Sequence, residues 1–472
     1  MVPLKRPNIL FLLADDQRFD TIHALGNEAI HTPNLDALAQ RGCAFTNMQI
    51  PGGTSCAVCM PSRAMLNTGR RLFSIQGEGQ HIPEDHATLG EALHQSGGYH
   101  CHGIGKWHNG PEGYAKSFQS GENIFYWGMW DHWNVPVCDF RENGDYSDAQ
   151  KPFIMNFGAS KEPFWVLYDR IACGVHSTEL MADSAIRFLK DYDKEEPFFA
   201  YVSFLAPHDP RTMPKQFRDL YDAKSLPLPP NFAPEHLFDY GIRDMRDETL
   251  AGYPRTPQEV REHLADYYAM ISHLDDAVGR ILKVLEDRGM LEDTIVIYTA
   301  DNGLAVGQHG LMGKQNLYEP SIRVPFLMAG PGIPKNERRD SYHYLLDVFP
   351  SLCELTGIPI PQSVEGKSFV PSLLQGAPGR DEVYLAYNEK IRGIKTRRYK
   401  LIETRTEETS RTQLFDLIQD PWEMQDLSSK PEYAQTVRQL QKRLRALAAD
   451  WNDRGHPLGQ EYWNTYEAKL EK

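Results

Sequence analysis

No apolar run in this 472-residue chain is long enough to span a membrane. An excess of positive charge is also missing. Lys and Arg number 50 against 64 Asp and Glu, a formal net charge of −14, which excludes a generic nucleic-acid binder. Cysteine is sparse: seven residues at irregular spacing do not make a disulfide framework. There is no Asn-x-Ser/Thr glycosylation acceptor, no internal repeat and no low-complexity tract. No signal peptide is expected in the first segment as written. Met1–Pro7 passes straight into Asn8–Ala14, an apolar run that is short, lacks a signal-type cleavage site and ends in two aspartates. That run reads as a buried strand. As written, the chain is expected in the cytoplasm, or in the periplasm or outside the cell if an export signal once preceded it. What is present is an ordinary soluble composition, 41% hydrophobic and 24% charged, on a chain long enough for a large core and more than one domain.

The stretch around which the rest is organised is Cys56-Ala57-Val58-Cys59-Met60-Pro61-Ser62-Arg63, continuing to Gly69-Arg70. Pro61 suits a first helical position and Gly69 the residue just past a helix end. Cys59 is therefore expected in the loop before a short helix, facing its N–H groups and positive dipole end, a ready site for an oxyanion. Arg63, one turn further in, can present its planar fork to the same anion. Other readings of Cys56 and Cys59 are a redox pair, half a zinc site or a structural buried thiol. The remaining five cysteines supply no second pair at zinc spacing.

Four strand-like runs end in polar residues. Asn8–Ala14 delivers Asp15 and Asp16. Tyr99–Ile104 feeds Gly105-Lys106-Trp107-His108. Phe198–Phe204 leads to Ala206-Pro207-His208. Thr294–Ala300 delivers Asp301 and Asn302, with His309 and Lys314 beyond, and Glu319–Phe326 reads as a further strand. Leu89–Gln95, Glu179–Lys190 and a long amphipathic run from Tyr267 to Leu285 read as helices, and 224–258, with its prolines and charges, as surface loop. In a mostly parallel sheet the four polar ends share one edge, where ligands of open α/β sheets bind. Adjacent carboxylates repel unless a cation lies between them, and an all-oxygen set (Asp15, Asp16, Asp301, Asn302) favours Ca²⁺ or Mg²⁺ over zinc. Taken alone, Lys106 and His108 read as a surface lysine and a structural histidine.

Cys59-Met60-Pro61-Ser62-Arg63 with Leu66, Thr68, Gly69 and Arg70 closely resembles the signature of type I sulfatases, the formylglycine-dependent members of the alkaline phosphatase-like superfamily. Thr32-Pro33-Asn34-Leu35-Asp36 and Gly105-Lys106-Trp107-His108 are similar to other segments of that family, though Asn109 stands where the family usually has Leu. The resemblance implies that Cys59 is oxidised to formylglycine (3-oxoalanine) by a formylglycine-generating or anaerobic sulfatase-maturating enzyme. It also implies that Asp15, Asp16, Asp301 and Asn302 hold the metal, usually calcium, and that Arg63, Lys106 and Lys314 surround a sulfate. The implied reaction is attack on sulfur by a hydroxyl of the hydrated aldehyde. His208, with Lys314, protonates the departing alcohol, and His108 removes the proton whose loss expels sulfate. The substrate is expected to be a small-molecule or oligosaccharide sulfate ester, with a sulfated sugar as first guess. Trp130, Asp131 and His132, in an aromatic insertion over 110–175, and His309 are candidate substrate contacts, a packed aromatic loop being the equal alternative for the insertion. The rivals are a phosphonate or phosphate ester hydrolase on the same scaffold and a non-catalytic anion-binding protein.

The expected fold is α/β: a large mixed, mostly parallel sheet flanked by helices over 1–375, carrying catalysis, and a smaller α+β subdomain over 376–472. In the latter, four short strands joined by turns predict an antiparallel sheet. Val437, Leu440, Leu444 and Leu447 predict a helix covering it.

Overall fold

The apolar runs become the centre of one sheet. The structure, a computed structural model, describes residues 6–154, 158 and 161–470, so the first five residues of the amino-terminal stretch lie outside it. In chain order the strands that matter are β1 (Asn8–Ala14), β2 (Cys43–Phe45), β3 (Gly52–Gly53), β4 (His100–Lys106), β5 (Ser120–Phe125), β6 (Phe198–Ser203), β7 (Thr294–Ala300), β8 (Phe326–Ala329) and β9 (Glu337–Arg339). The eight-stranded sheet runs β9-β2-β8-β7-β1-β6-β4-β5. From β7 to β5 all neighbours are parallel, and β8 is antiparallel to β7. Every residue of β1, β6 and β7 is buried, because helices cover both faces and no strand face meets water.

The helices follow the expected patterns: α1 (Pro33–Arg41), α2 (Cys59–Thr68), α3 (Leu89–Gly97), α4 (Ser177–Asp191) and α5 (Pro257–Asp287). The amphipathic run expected from Tyr267 is the later part of α5. That helix begins at Pro257, where the Thr256 side chain caps it by accepting the Glu259 N–H. Asp275 of α5 accepts the Leu35 N–H at 2.7 Å and the Asn34 N–H at 3.1 Å, joining α1 to α5.

The second sheet is the expected antiparallel meander: β10 (Glu382–Tyr387), β11 (Ile391–Thr396), β12 (Tyr399–Arg405) and β13 (Ser410–Asp416). A helix over Ala434–Asp450 covers it through Leu440, Leu444 and Ala448. The sequence did not announce its fifth strand. β3 adds in parallel to β10, with Gly52 opposite Ala386 and Gly53 opposite Tyr387. A Cβ at Gly52, where φ is +110°, would lie 2.0 Å from the Ala386 carbonyl oxygen, so only glycine permits the pairing.

Asp453 locks this region. Buried completely, it accepts from Arg392 (2.8 and 2.9 Å), the Tyr384 hydroxyl (2.6 Å) and the Trp463 indole N–H (2.6 Å). Asp453→Ala is expected to destabilise the protein by about 3–5 kcal/mol, because it strands the buried Arg392 charge. Thermal or denaturant unfolding measures this.

Three departures have simple causes. Glu319–Phe326 is not one strand: a turn of helix over Glu319–Ile322 starts around Pro320, and Pro325, lacking an N–H, separates Arg323–Val324 from β8. The 110–175 insertion contributes β5 to the main sheet and two antiparallel ribbons, Asn134–Val137 with Arg170–Cys173 and Gln150–Phe153 with Phe164–Leu167. Within 224–258, read as surface loop, Asp247 and Glu248 are buried. Among the described residues no helix is long and apolar enough to cross a membrane.

Candidate active site

The parallel strands β1, β4, β6 and β7 end at one edge, and chemistry sits at each end. Asp15 and Asp16 follow β1, and Asp301 and Asn302 follow β7. Lys106 closes β4 with His108 two residues on, and His208 lies in the loop after β6. Backbone bonds knit the ends together: the Asp15 N–H donates to the Ala206 carbonyl (3.1 Å) and the Asp301 N–H to that of Ala14 (3.2 Å). Asp16 (φ 63°) and His108 (φ 76°) adopt left-handed backbone that a non-glycine residue rarely holds, a form of strain that clusters at functional sites. Tyr267 of α5 holds the strained turn, donating to the Asp16 carbonyl at 2.7 Å and accepting the Arg18 N–H at 2.9 Å.

The carboxylates interlock. Asp301 Oδ1 accepts the N–H of Asp16 (3.1 Å) and of Asn302 (2.8 Å), and its Oδ2 accepts Arg63 Nε at 2.7 Å. Asp16 Oδ1 accepts Asn302 Nδ2 at 2.6 Å and Lys314 Nζ at 2.5 Å, and Asp15 Oδ2 pairs closely with Lys106 Nζ. Burial alone would raise all three carboxyls. For Asp15, Lys106 and then His208 outweigh it, and for Asp16, His208 and then Lys314, so both stay below the usual carboxylate range. For Asp301, burial and the neighbouring Asp15 dominate and push it up to about 6. Burial would also depress Lys314, but Asp16 above all holds its ammonium well above the ordinary lysine value.

These residues fit a hard cation. Asp15 Oδ1 and Asn302 Oδ1 are buried oxygens with no hydrogen-bond partner, and unpaired buried oxygens of this kind are what Ca²⁺ or Mg²⁺ satisfies. Among the described residues, the groups of three able to share an ion are Asp15–Asp16–His208 and Asp15–Cys59–Asp301, each with its ligand atoms within 4.8 Å of one another. Neither contains two cysteines, so the half-zinc reading of Cys56 and Cys59 finds no partner ligands.

Cys59 is the first residue of α2, two positions earlier than Pro61 suggested, and Pro61 sits third, still within the turn where no N–H partner is needed. The helix ends at Gly69 (φ 64°), whose N–H returns to the Met65 carbonyl at 2.8 Å. Cys59 Sγ lies 3.5 Å from His108 Nδ1 and 3.7 Å from Lys106 Nζ. Burial pushes the thiol up to about 11 although Lys106 and Lys314 pull it down, so it is protonated at neutral pH and a weak nucleophile in its own right. His108 is held well below the ordinary histidine value by burial and then Lys106, so its ring is neutral.

Arg63 is fully buried and braces the carboxylate ring through two of its nitrogens, Nε to Asp301 and Nη1 to the Lys106 carbonyl (2.8 Å) and Ser203 Oγ (2.6 Å), while its Nη2 has no hydrogen-bond partner. His208 Nε2 is 3.5 Å from Asp16 Oδ2. The four candidate substrate contacts do not join the cluster. Trp130 packs against Phe153 and Phe164, Asp131 caps its own turn at the Trp133 N–H, and His309 stacks on Tyr318 at 3.9 Å. His132 comes closest, from behind: its Nε2 meets the His208 carbonyl at 2.8 Å and its Nδ1 the Ser177 hydroxyl at 2.6 Å. Two supports were not read from the sequence. The Gly128 carbonyl caps Lys106 Nζ, and Ser62 Oγ donates to the Asp301 carbonyl at 2.5 Å. Ser62 lies inside the signature and could have been found there, whereas nothing local marks Gly128.

A strand-edge ring of carboxylates and cations around a buried reactive side chain is the architecture of a hydrolase of anionic esters in the alkaline phosphatase-like superfamily. The family profile described as Sulfatase matches residues 7–358, and that of the N-sulphoglucosamine sulphohydrolase C-terminal region matches 307–450. The chain belongs to the sulfatase family and is a sulfuric-ester hydrolase. It is 25% identical to the N-acetylglucosamine-6-O-sulfatase of Bacteroides thetaiotaomicron over 95% of this chain and 87% of that protein. It is 28% identical to the ulvan-active sulfatase of Formosa agariphila over 95% and 82%. The phosphonate monoester hydrolase of Agrobacterium radiobacter shares the fold, with a TM-score of 0.74 at 22% identity over 94% of this chain and 96% of that one.

Proposed function

We propose that this enzyme removes sulfate from a sulfated carbohydrate, with Cys59 converted to formylglycine by a dedicated maturating enzyme. The observation that carries this reading is the setting of Cys59. It is a helix-start residue with a protonated, buried thiol, flanked by His108 and Lys106, inside a ligand set shared with Asp15 and Asp301. The relatives named for N-acetylglucosamine 6-sulfate and for ulvan support a sugar substrate.

Asp15, Asp16, Asp301 and Asn302 would hold a divalent cation, calcium or magnesium, which supplies Lewis acidity, while formylglycine supplies a hydroxyl nucleophile once hydrated. Lys106 and Lys314 neutralise the oxygens of the bound sulfate. A unit-charge contact about 4 Å long at an effective dielectric of ~20 is worth roughly 4 kcal/mol, enough to overcome an acidic protein's repulsion. Arg63 keeps Asp301 oriented and ionised. His208, with Lys314, holds the proton for the departing alcohol. His108, neutral, accepts a proton at Nδ1 from the group at position 59. Residues 1–375 carry this chemistry and 376–472 buttress it.

The test is one aryl alcohol offered as its sulfate, phosphate and phosphonate esters to protein co-expressed with a formylglycine-generating enzyme. The sulfate should be turned over at least about tenfold faster than the others. Preference for the phosphonate would overturn the sulfate reading and leave the fold and the carboxylate ring untouched.

A further inference from the structure

Three consecutive residues of the segment read as surface loop touch three different parts of the site. Glu248, 1% exposed, accepts the backbone N–H groups of Met312 (3.0 Å to Oε2) and Gly313 (3.0 Å to Oε1), the two residues before Lys314. Arg255 Nη2, at 2.7 Å, neutralises it from behind. Asp247 Oδ2 accepts Gln315 Nε2 at 2.6 Å, and the same amide nitrogen donates to the Cys56 carbonyl at 2.9 Å, three residues before Cys59. The Lys314 N–H in turn donates to Gln315 Oε1 at 3.0 Å. Arg246 pairs closely with Asp209 on one side and Asp247 on the other. Asp209 accepts from or contacts His208 Nδ1, through its carbonyl at 2.9 Å and its carboxylate at 3.4 Å.

We propose that Arg246-Asp247-Glu248 is a positioning strap that sets Lys314 and His208 against position 59. The inference rests on the roles given to Lys314 and His208 above. The turn before Lys314 has two successive N–H groups on one carboxylate, and the Lys314 side chain spans from that turn to Asp16. The strap's bonds toward the site are to backbone or to a residue adjacent to a proton-handling group. Its effect is geometric. A proton donor displaced by about 1 Å can cost on the order of 10²-fold.

The consequence is specific to the leaving group. A good leaving group, such as 4-nitrophenolate, departs without a proton, whereas a sugar alkoxide needs one. Asp247→Ala removes the acceptor for Gln315 and the partner of Arg246, whereas Asp247→Asn keeps an oxygen for Gln315. Because Lys314 also neutralises the sulfate of either ester, both should slow in Asp247→Ala, but an alkyl or sugar sulfate at least about tenfold more than 4-nitrophenyl sulfate, mainly in kcat. Asp247→Asn should recover most of the loss. Equal losses on both esters, accompanied by a lowered melting temperature, would mean a merely structural role and overturn the inference. Lys314→Ala and His208→Ala run beside them. If these show no leaving-group bias, the assigned proton roles fail, and the strap is then judged by hydrogen exchange alone. In Asp247→Ala and Glu248→Gln, peptides covering 205–212 and 311–317 should exchange faster than in the unaltered protein. Unchanged protection in both peptides would overturn the strap itself.

Discussion

Cys59→Ala should leave a folded protein with essentially no sulfate-ester turnover, a loss of about 10⁴-fold or more, as for other enzymes stripped of the nucleophile. The fold has little to lose. Cys59 occupies the first position of a helix, alanine is the best helix former, and the thiol's side-chain partners are His108 and Lys106 at 3.5 and 3.7 Å. The melting temperature should therefore barely move while activity disappears, and mass spectrometry of the tryptic peptide spanning 59 should show the converted side chain only in the unaltered protein. A variant that kept more than a few per cent of activity would remove Cys59 from the chemistry and with it the reading of this enzyme as formylglycine-dependent.

The second large effect is expected at Asp301. Asp301→Asn preserves the shape of the side chain but withdraws one charge from a ring of three carboxylates, weakening any dication held there. Lewis-acid stabilisation is worth several kcal/mol, so activity should fall by about 10³-fold or more. Dialysis against a chelator should do the same to the unaltered enzyme, and added Ca²⁺ or Mg²⁺ should restore that enzyme but not the variant. Asp301→Ala should be worse in a second respect. It strands Arg63, whose Nε bond to Asp301 is 2.7 Å and whose side chain is fully buried, at a cost of about 3–5 kcal/mol in stability. Restoration of Asp301→Asn by the metal would show that this carboxylate is not a ligand.

Much of this site was legible because its pieces come directly after regular strands. An unbroken apolar run such as Asn8–Ala14 reads as a buried parallel strand, and the polar residues after it then lie at the sheet's carboxyl edge. The C-terminal meander was legible for a similar reason: short alternating runs with turns between them leave no room for crossover helices. The features that failed to show were held by partners across long sequence separations. Nothing about Gly52–Gly53 says strand, since pairing there depends on a partner near residue 386 rather than on local preference. Asp247 and Glu248 sit among prolines and charges that resemble any exposed loop, and their burial depends on partners far away in the chain, the Gln315 side-chain amide for Asp247 and the Met312 and Gly313 N–H groups for Glu248. His309 carries a residue type common in sites, yet its ring is used for packing on Tyr318. Arg63 was placed on the correct helix, but the direction of its guanidinium was decided by Asp301 and Ser203, which only the fold brings near.

The pairing of Gly52–Gly53 with the strand over Glu382–Tyr387 also sets a timetable for synthesis. The segment leading into Cys59 cannot reach its final path until residues from the far end of the chain have left the ribosome. Once the late strand docks, Cys59 is 2% exposed and closed to any macromolecule. If Cys59 is converted as proposed, the maturating enzyme would have to reach it before that docking, and a chain that folded first would be closed around an unaltered thiol.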